Sequence, residues 1–356
     1  MFKDEYKVIG VMSGTSLDGI DFAYIHFYKI FDSWKFSILK AETFPYDEKW
    51  RTTLNNAFNF CQSDLEILNE NYTDFLANQI QYFIEKNKIV EIDFISSHGH
   101  TILHQPENGF TLQIGNLPKI SSSLKKIVVC DFRVQDVQLG GQGAPLVPIG
   151  DELLFSEYDY CLNLGGFSNI SFSSKGSRIA FDISPVNIVL NFFSEKIGLE
   201  YDKGGKLAES GKICENLLTE LNSISFYKKS FPKSLGKEFI QEEILPTIEK
   251  YNLSINDILR TFVEHIAIQI TDVVKANTKV LITGGGAYNS FLISRLRELK
   301  SSTEWIIPND NLIQFKEALI FGFLGILRLR NETNVLASVT GASENHSAGI
   351  IFLYSE

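Results

Sequence analysis

The stretch Gly10 to Asp21, GVMSGTSLDGID, sets a glycine- and hydroxyl-rich turn between two apolar segments. Upstream, Lys7 to Val11 predicts a short buried strand, and downstream Ile20 to Phe27 alternates apolar and polar residues, so a β-hairpin is expected here. Gly14 and Gly19 permit tight or positive-φ turns, while Ser13, Thr15 and Ser16 add hydroxyl donors to backbone N–H groups suited to a phosphate. The stretch is not a P-loop, because no lysine follows the second glycine. Nor is it a Rossmann fingerprint, because no helix follows it. An ordinary Gly/Ser hairpin is the competing reading of these residues alone.

The same pattern returns in the second half of the chain. Tyr158 to Leu164 reads as an apolar strand, Gly165 and Gly166 form a turn with Ser168 and Asn169, and Ile170 to Phe172 begins another strand. Two similar halves, each opening with such a hairpin, are expected to leave a cleft between them with one turn on each side. Size agrees: the chain has 356 residues, and single cores split beyond about 250–300.

Composition narrows the partners. Hydrophobic residues at 44% and charged residues at 21% suit a globular protein. A formal charge of −10 repels nucleic acid and anionic membrane, leaving room for a small anion in a local positive pocket. The start, MFKDEYKVIG, has no signal-peptide core, and the longest apolar run, Ala318 to Leu327, is far short of the ~20 residues of a spanning helix, so a cytoplasmic protein is expected. Cys61, Cys130, Cys161 and Cys214 are scattered without a C-x-x-C and read as reduced core residues.

Between the hairpins, Lys35 to Phe44 predicts a third strand, Asp64 to Lys88 a long amphipathic helix and Ile92 to Ser96 a strand ending in SSHGHTILHQ. His98, His100 and His104 could suggest a metal site, but with no carboxylate or cysteine close by they read better as polar groups of a loop, and no metal ligands are assigned. Short strands follow at Phe110 to Ile114 and Ile127 to Asp131. Then comes DFRVQDVQLGGQGAPLVP, whose glycines and prolines mark either a hinge between domains or a plain surface loop.

In the second half, Arg178 to Asp182 predicts a strand with Asp182 at its C-terminal end, and Asn187 to Ile197 a helix. Lys206 to Leu221 and Gly236 to Lys250 read as helices separated by the basic segment FYKKSFPKSLGKE, the second kinked by Pro246. Ser254 caps a long helix to Lys275. Lys279 to Thr283 is a strand running into TGGGAYNS, where Gly284, Gly285 and Gly286 would let backbone approach a flat ligand or phosphate. Helices at Asn289 to Lys300 and Gln314 to Leu327, the latter opening with the charged pair Lys316 and Glu317, flank a strand at Trp305 to Ile307, and a last strand is expected at Ile350 to Tyr354.

Three glycine turns in this order, GTSLDG, NLGGFSN and TGGGAYN, resemble the two phosphate loops and the adenosine loop of the actin-like ATPase, sugar-kinase and Hsp70 superfamily. More closely, the chain resembles the anhydro-N-acetylmuramic acid kinases. The matching segments include GVMSGTSLDGID, SHGHT, FTLQIGN, DFRVQDVQLGGQGAPLVP, AFDISPVN, YDKGG, PKSLGKE, KEAL and SVTGAS, spread over nearly the whole chain. The resemblance implies an α/β, two-domain actin-like ATPase (ribonuclease H-like) fold with an interdomain cleft. One domain would hold residues 1–135 plus 312–356, the other 136–311.

The activity implied is an ATP-dependent kinase that adds water across the 1,6-anhydro bridge of anhydro-N-acetylmuramic acid and phosphorylates the released O6, in cell-wall recycling. ATP and Mg²⁺ would be needed, with the metal held mostly by water and phosphate. The resemblance places the base at Asp182, phosphate contacts at Gly14, Thr15, Ser16, Leu17, Asp18, Gly19, Ile20 and Asp21 and at Gly165 and Gly166, and the adenosine at Gly284 to Gly286. His98, Arg133, Asn187 and Glu317 are candidate sugar contacts; Arg133 suits the lactyl carboxylate but also a structural ion pair. A homodimer is in keeping with the family. One departure stands out: the family's Asp-Thr-Gly-Pro-Gly-Asn is Asp182-Ile-Ser-Pro-Val-Asn187 here. A kinase for another sugar, or a nucleotide-dependent sugar sensor without turnover, are the competing functions.

Overall fold

The computed structural model describes residues 3–14 and 16–354. They divide into two compact units: the chain up to Leu154 together with Phe315 onward, and Phe155–Gln314.

Unit 1 opens with an antiparallel meander, β1 (Glu5–Ser13), β2 (Gly19–Ile30) and β3 (Ser33–Pro45). On the other side of β1 come β4 (Phe94–Gln105) and β6 (Val128–Cys130), both parallel to it in sequence through the sheet, while β5 (Phe110–Ile114) folds back on β4 and β12 (Ile350–Phe352) closes the far edge. The helix Gln62–Lys86 covers one face, burying Tyr72, Leu76, Ile80 and Phe83 against Ile9, Phe22 and Ile95. The helix Asp310–Leu329 is buried almost all round from Ala318 to Leu327. It lies directly on the strands: a Cβ at Gly10 would fall 2.0 Å from the Ala318 carbonyl, and Ser96 Oγ donates to the Phe321 carbonyl at 2.5 Å.

Unit 2 repeats the plan. β7 (Tyr160–Leu164), β8 (Phe167–Ser174) and β9 (Ser177–Pro185) form the meander, and β10 (Lys279–Thr283) and β11 (Glu304–Ile306) add in parallel beyond β7. Its core joins Leu162, Leu164, Ile183 and Val186 to Phe262, Val263 and Ile266 of the helix Ile255–Val273, which Ser254 caps by accepting from the Asp257 N–H. In both units the third strand pairs the second, the second the first, the first a parallel strand, and that strand a further parallel one. That duplicated order is the ribonuclease H-like arrangement of the actin-like ATPases.

Several expectations need correction. The strand predicted to stop at Ser96 continues as β4 to Gln105, so His98 and His100 are buried strand residues, not loop groups. Gly99 (φ +74) supplies the irregular step that keeps the strand going, and a Cβ there would meet the Ile114 carbonyl at 2.5 Å. The segment after Asp131 lies wholly within unit 1, because its helix Val147–Leu154 is tied there by a buried Asp151–Lys316 ion pair of 2.7 Å. The chain passes between units after Leu154 and again after Gln314, where Phe315 (φ −111, ψ 17) interrupts the helix. Residues 206–221 form two short helices, Lys206–Ser210 and Glu215–Ser223. Pro246 is accommodated by a π-turn at Ile240–Ile244. Of the cysteines, Cys130 and Cys161 are core residues, but Cys61 is exposed beside the start of the helix Gln62–Lys86 and Cys214 is partly exposed.

Candidate active site

In unit 1 the β1–β2 turn spans residues 14 to 18, of which Thr15 lies outside the described residues. Asp18 organises the turn, accepting from Ser16 Oγ at 2.6 Å and from the Gly19 N–H at 3.1 Å. The assigned residues separate by role. A Cβ at Gly14 would meet nothing closer than Ser16 Oγ at 3.4 Å, whereas one at Gly19 would strike the Phe44 carbonyl at 2.5 Å. Gly14 is therefore open to a ligand, and Gly19 is required by the β2–β3 contact. Leu17 (φ 61) packs on the unit-1 core and Ile20 is fully buried, which leaves these two only their backbone for a ligand.

Asp21, at the start of β2, accepts from Thr43 Oγ1 at 2.5 Å. Burial pushes its carboxyl up to about 6, with the charges of Asp18 and Glu317 adding in the same direction. Glu317 is itself raised, by burial first, even with Arg133 and Lys316 drawing it down. Glu317 nevertheless remains accessible to solvent. Lys316 and Glu317 are neighbours on a helix and point apart; Lys316 pairs with Asp151 at 2.7 Å.

Arg133 donates Nε–H to His98 Nε2 at 2.8 Å and Nη1–H to the Gly143 carbonyl at 2.5 Å. Because a carbonyl only accepts, the 2.9 Å contact of His98 Nδ1 with the Gly99 oxygen assigns the proton to Nδ1 and leaves Nε2 free to receive Arg133. Burial, then the Arg133 charge, holds His98 far below the usual imidazole range, so it stays neutral. Burial also lowers Arg133 to about 10. No carboxylate among the described residues forms an ion pair with Arg133. Its charge faces Glu317 and Asp136 only at longer range. Unit 1 thus brings together the turn, Asp21, Glu317, Arg133 and His98.

Unit 2 gathers the rest. A β-bulge sits in β9: Ser168 pairs with Ser184 and Asn169 with Asp182, leaving Ile183 as the extra residue. Hence Asp182 does not end its strand, which runs on to Pro185. Asp182 Oδ2 accepts from the Leu235 N–H at 2.8 Å. Burial raises its carboxyl and that bond opposes the rise. Asn187 donates from Nδ2 to the Leu164 carbonyl at 3.2 Å, and its amide lies within 3.7 Å of where a Cβ would stand on Gly285 and 3.5 Å on Gly286. This places the NLGG and TGGG turns side by side. Gly166 and Gly285 have room beside them; Gly284 (φ +82) and Gly286 are held by close backbone packing on Leu164.

Two features escaped the sequence reading. Ser13 Oγ meets His100 Nδ1 at 2.7 Å and Tyr46 OH at 2.6 Å, with Tyr72 behind, a buried polar network at the foot of the first turn. Burial lowers His100 to about 4. The other is Leu235, whose only sequence signal was its place inside PKSLGKE, a basic segment that also matches the family pattern.

A family model described as anhydro-N-acetylmuramic acid kinase matches residues 6–354. The chain belongs to the anhydro-N-acetylmuramic acid kinase family. An anhydro-N-acetylmuramic acid kinase from Aliivibrio fischeri is 32% identical over 370 residues, covering 97% of this chain and 99% of the relative. One from Sulfurimonas denitrificans is 34% identical over 372 residues, covering 97% and 98%. Among solved structures, an activator of 2-hydroxyisocaproyl-CoA dehydratase from Clostridium difficile with bound ADPNP superposes at a TM-score of 0.44 and 13% identity, over 91% of this chain and 97% of that one.

Proposed function

We propose that this kinase of the anhydro-N-acetylmuramic acid kinase family works through Asp182 as base, with the roles of the surrounding residues divided as follows. Family membership makes the chain an ATP-dependent sugar kinase. The observation that carries the mechanistic reading is the state of Asp182: half-buried, one oxygen tied to a backbone N–H, the other with no hydrogen bond among the described residues. Such a carboxylate is oriented but still basic. It takes a proton from water as the water oxygen bonds to C1 and the C1–O6 bond breaks. O6 then bonds to the γ-phosphorus and ADP leaves, so the product is N-acetylmuramic acid 6-phosphate.

The Gly14–Asp21 turn takes the β- and γ-phosphates, Gly165 and Gly166 add phosphate contacts, and Gly284 to Gly286 lie along the adenosine. Glu317 and Asn187 bind the sugar. Arg133 grips the lactyl carboxylate, since its guanidinium carries no ion pair among the described residues and neutral His98 fixes its Nε.

Mg²⁺ fits the donor set of unit 1. The Asp18 charge adds to the cost of ionising Asp21, a repulsion that a divalent cation relieves, although no group of three His, Cys, Asp or Glu side chains among the described residues forms a cage. Asp18 and Asp21 would hold the ion, with water and phosphate completing its shell. When bound, it neutralises charge on the phosphates. No helix of the described residues is long and apolar enough to cross a membrane, which supports a cytoplasmic enzyme; pairing as a homodimer rests on the family resemblance.

The test is turnover of ATP–Mg²⁺ with 1,6-anhydro-N-acetylmuramic acid in ¹⁸O-water. One ADP per sugar consumed, with the label at C1 of the 6-phosphate, is expected. ATP hydrolysis without consumption of sugar, or product without label at C1, overturns the reading.

A further inference from the structure

Residues 231–236, FPKSLG, form a mostly solvent-facing segment with Phe231 half exposed. Leu235 packs on the edge of the unit-2 core, and the other contacts of the segment converge largely on one short piece of β9. The Phe231 ring stacks on Phe181 with centroids 5.8 Å apart and planes 8° from parallel. Lys233 Nζ lies 5.6 Å from the Phe181 ring and 4.8 Å from Phe226. Between these side-chain contacts run two hydrogen bonds to a single residue: the Asp182 N–H donates to the Lys233 carbonyl at 3.1 Å, and the Leu235 N–H donates to Asp182 Oδ2 at 2.8 Å.

This pair sits beside the bulge at Ile183, where the β8–β9 ladder slips by a residue. A bulged strand is free to twist locally, so the direction of the Asp182 side chain is not set by the ladder alone. We propose that the 231–236 segment is the positioning clamp of Asp182, with the Leu235 N–H as its working group. It holds Oδ2 so that Oδ1 is the oxygen offered to water. The lysine of the segment contributes its methylene stem and its charge to the aromatic faces of Phe181 and Phe226, which fixes the loop without placing a cation on the carboxylate. A direct ammonium–carboxylate pair would weaken the base; a single backbone donor orients it at less cost in basicity.

The inference rests on the reading of Asp182 as base, and two readouts separate them. Leu235→Pro removes the donor, and replacement of Leu235 by its α-hydroxy acid removes the same N–H with minimal change in shape. Leu235→Ala keeps the N–H. Losing the bond to the ionised form moves the Asp182 titration up by about one pH unit. That shift is read directly in the ligand-free protein by ¹³C carboxyl NMR, the Asp182 signal being the one absent from Asp182→Asn. The acid limb of the kcat/KM profile should move up equally, with kcat lower and KM for ATP unchanged, while Leu235→Ala stays near wild type. An unshifted Asp182 signal in a folded hydroxy-acid variant overturns the clamp even if Asp182 is the base. A shifted signal with an unmoved acid limb overturns the role of Asp182 instead, and with it the catalytic meaning of the clamp.

Discussion

The two opening turns share a place in the fold and differ in how they are held. In unit 2, Gly165 and Gly166 are closed by the Gly165 N–H to Phe167 carbonyl bond of 3.1 Å, and their carbonyls receive the N–H groups of Asn187 and Val186 at 3.2 and 2.8 Å. The glycine turn thereby satisfies donors at the start of the helix Asn187–Glu195 that would otherwise be orphaned, and the helix in turn fixes the turn. In unit 1 no helix follows. Among its described residues the longer turn has one backbone bond across it, Leu17 N–H to the Gly14 carbonyl at 3.4 Å, and it is organised by the exposed carboxylate of Asp18. The same topology has thus produced one turn tied into a following helix and one acidic turn held through a carboxylate side chain.

The largest effect expected within this contrast falls on the unit-2 side. Asp182→Asn keeps the accepted Leu235 bond and the size but not the basicity, and positioned base catalysis is worth about 10²–10⁴ in rate. Steady-state kinetics should show kcat falling by that factor, while calorimetric dissociation constants for nucleotide and sugar change little.

Next comes the acidic turn. Gly14 has room for a side chain and Gly19 does not, so Gly14→Val should melt near the wild-type temperature yet bind ATP at least about tenfold more weakly, a loss of ~1.4 kcal/mol or more. Gly19→Val should lower the melting temperature first. Equal ATP affinity of folded Gly14→Val and wild type would remove the turn from the nucleotide site.

A smaller effect concerns pH. With its carboxyl raised to about 6, Asp21 holds a proton in the folded protein where the unfolded chain, near the usual aspartate value of about 4, has lost it. Stability from this group is therefore fully present below pH ~4 and declines as pH rises to about 6. Asp21→Asn should gain melting temperature relative to wild type as the pH goes from 4.5 to 7 without ligand. A constant difference across that range would contradict the crowding of Asp18, Asp21 and Glu317.

The smallest effect on turnover is expected at the departure from the family pattern. Ile183 and Val186 are buried in the unit-2 core, at 2% and 0% exposure. Restoring glycine by Val186→Gly should cost about 2–4 kcal/mol of stability from lost burial and added chain entropy. Sugar selectivity and kcat/KM should stay within a few-fold. A marked switch of sugar in that variant would show that the segment shapes the substrate pocket.

Local signals in the sequence were enough for the strands and their order of appearance. Both meanders, the exact span of β5 and β10, the Ser254 cap and the three glycine turns rest on period, turn residues and caps, which act within a few residues. Alternation in Ile20–Phe27 marked a strand, although the structure buries both of its faces, and the apolar run of Ala318–Leu327 lies in a buried helix. Chemistry at Asp182 was legible only through the resemblance of the segments around it.

What tertiary structure decided was every relation between distant positions. The bulge at Ile183 that carries β9 past Asp182, the Leu235 N–H arriving from 53 residues away, the Asp151–Lys316 ion pair and the burial of His98 and His100 left no local trace. Their cause is packing and long-range hydrogen bonding, whose energies depend on which backbone groups meet across the sheet rather than on the residues beside them in the chain. The sorting of glycines obeys the same rule: GTSLDG names two turn residues alike, and only the carbonyl of Phe44 against Gly19, with open space at Gly14, tells the packing glycine from the one left for a ligand.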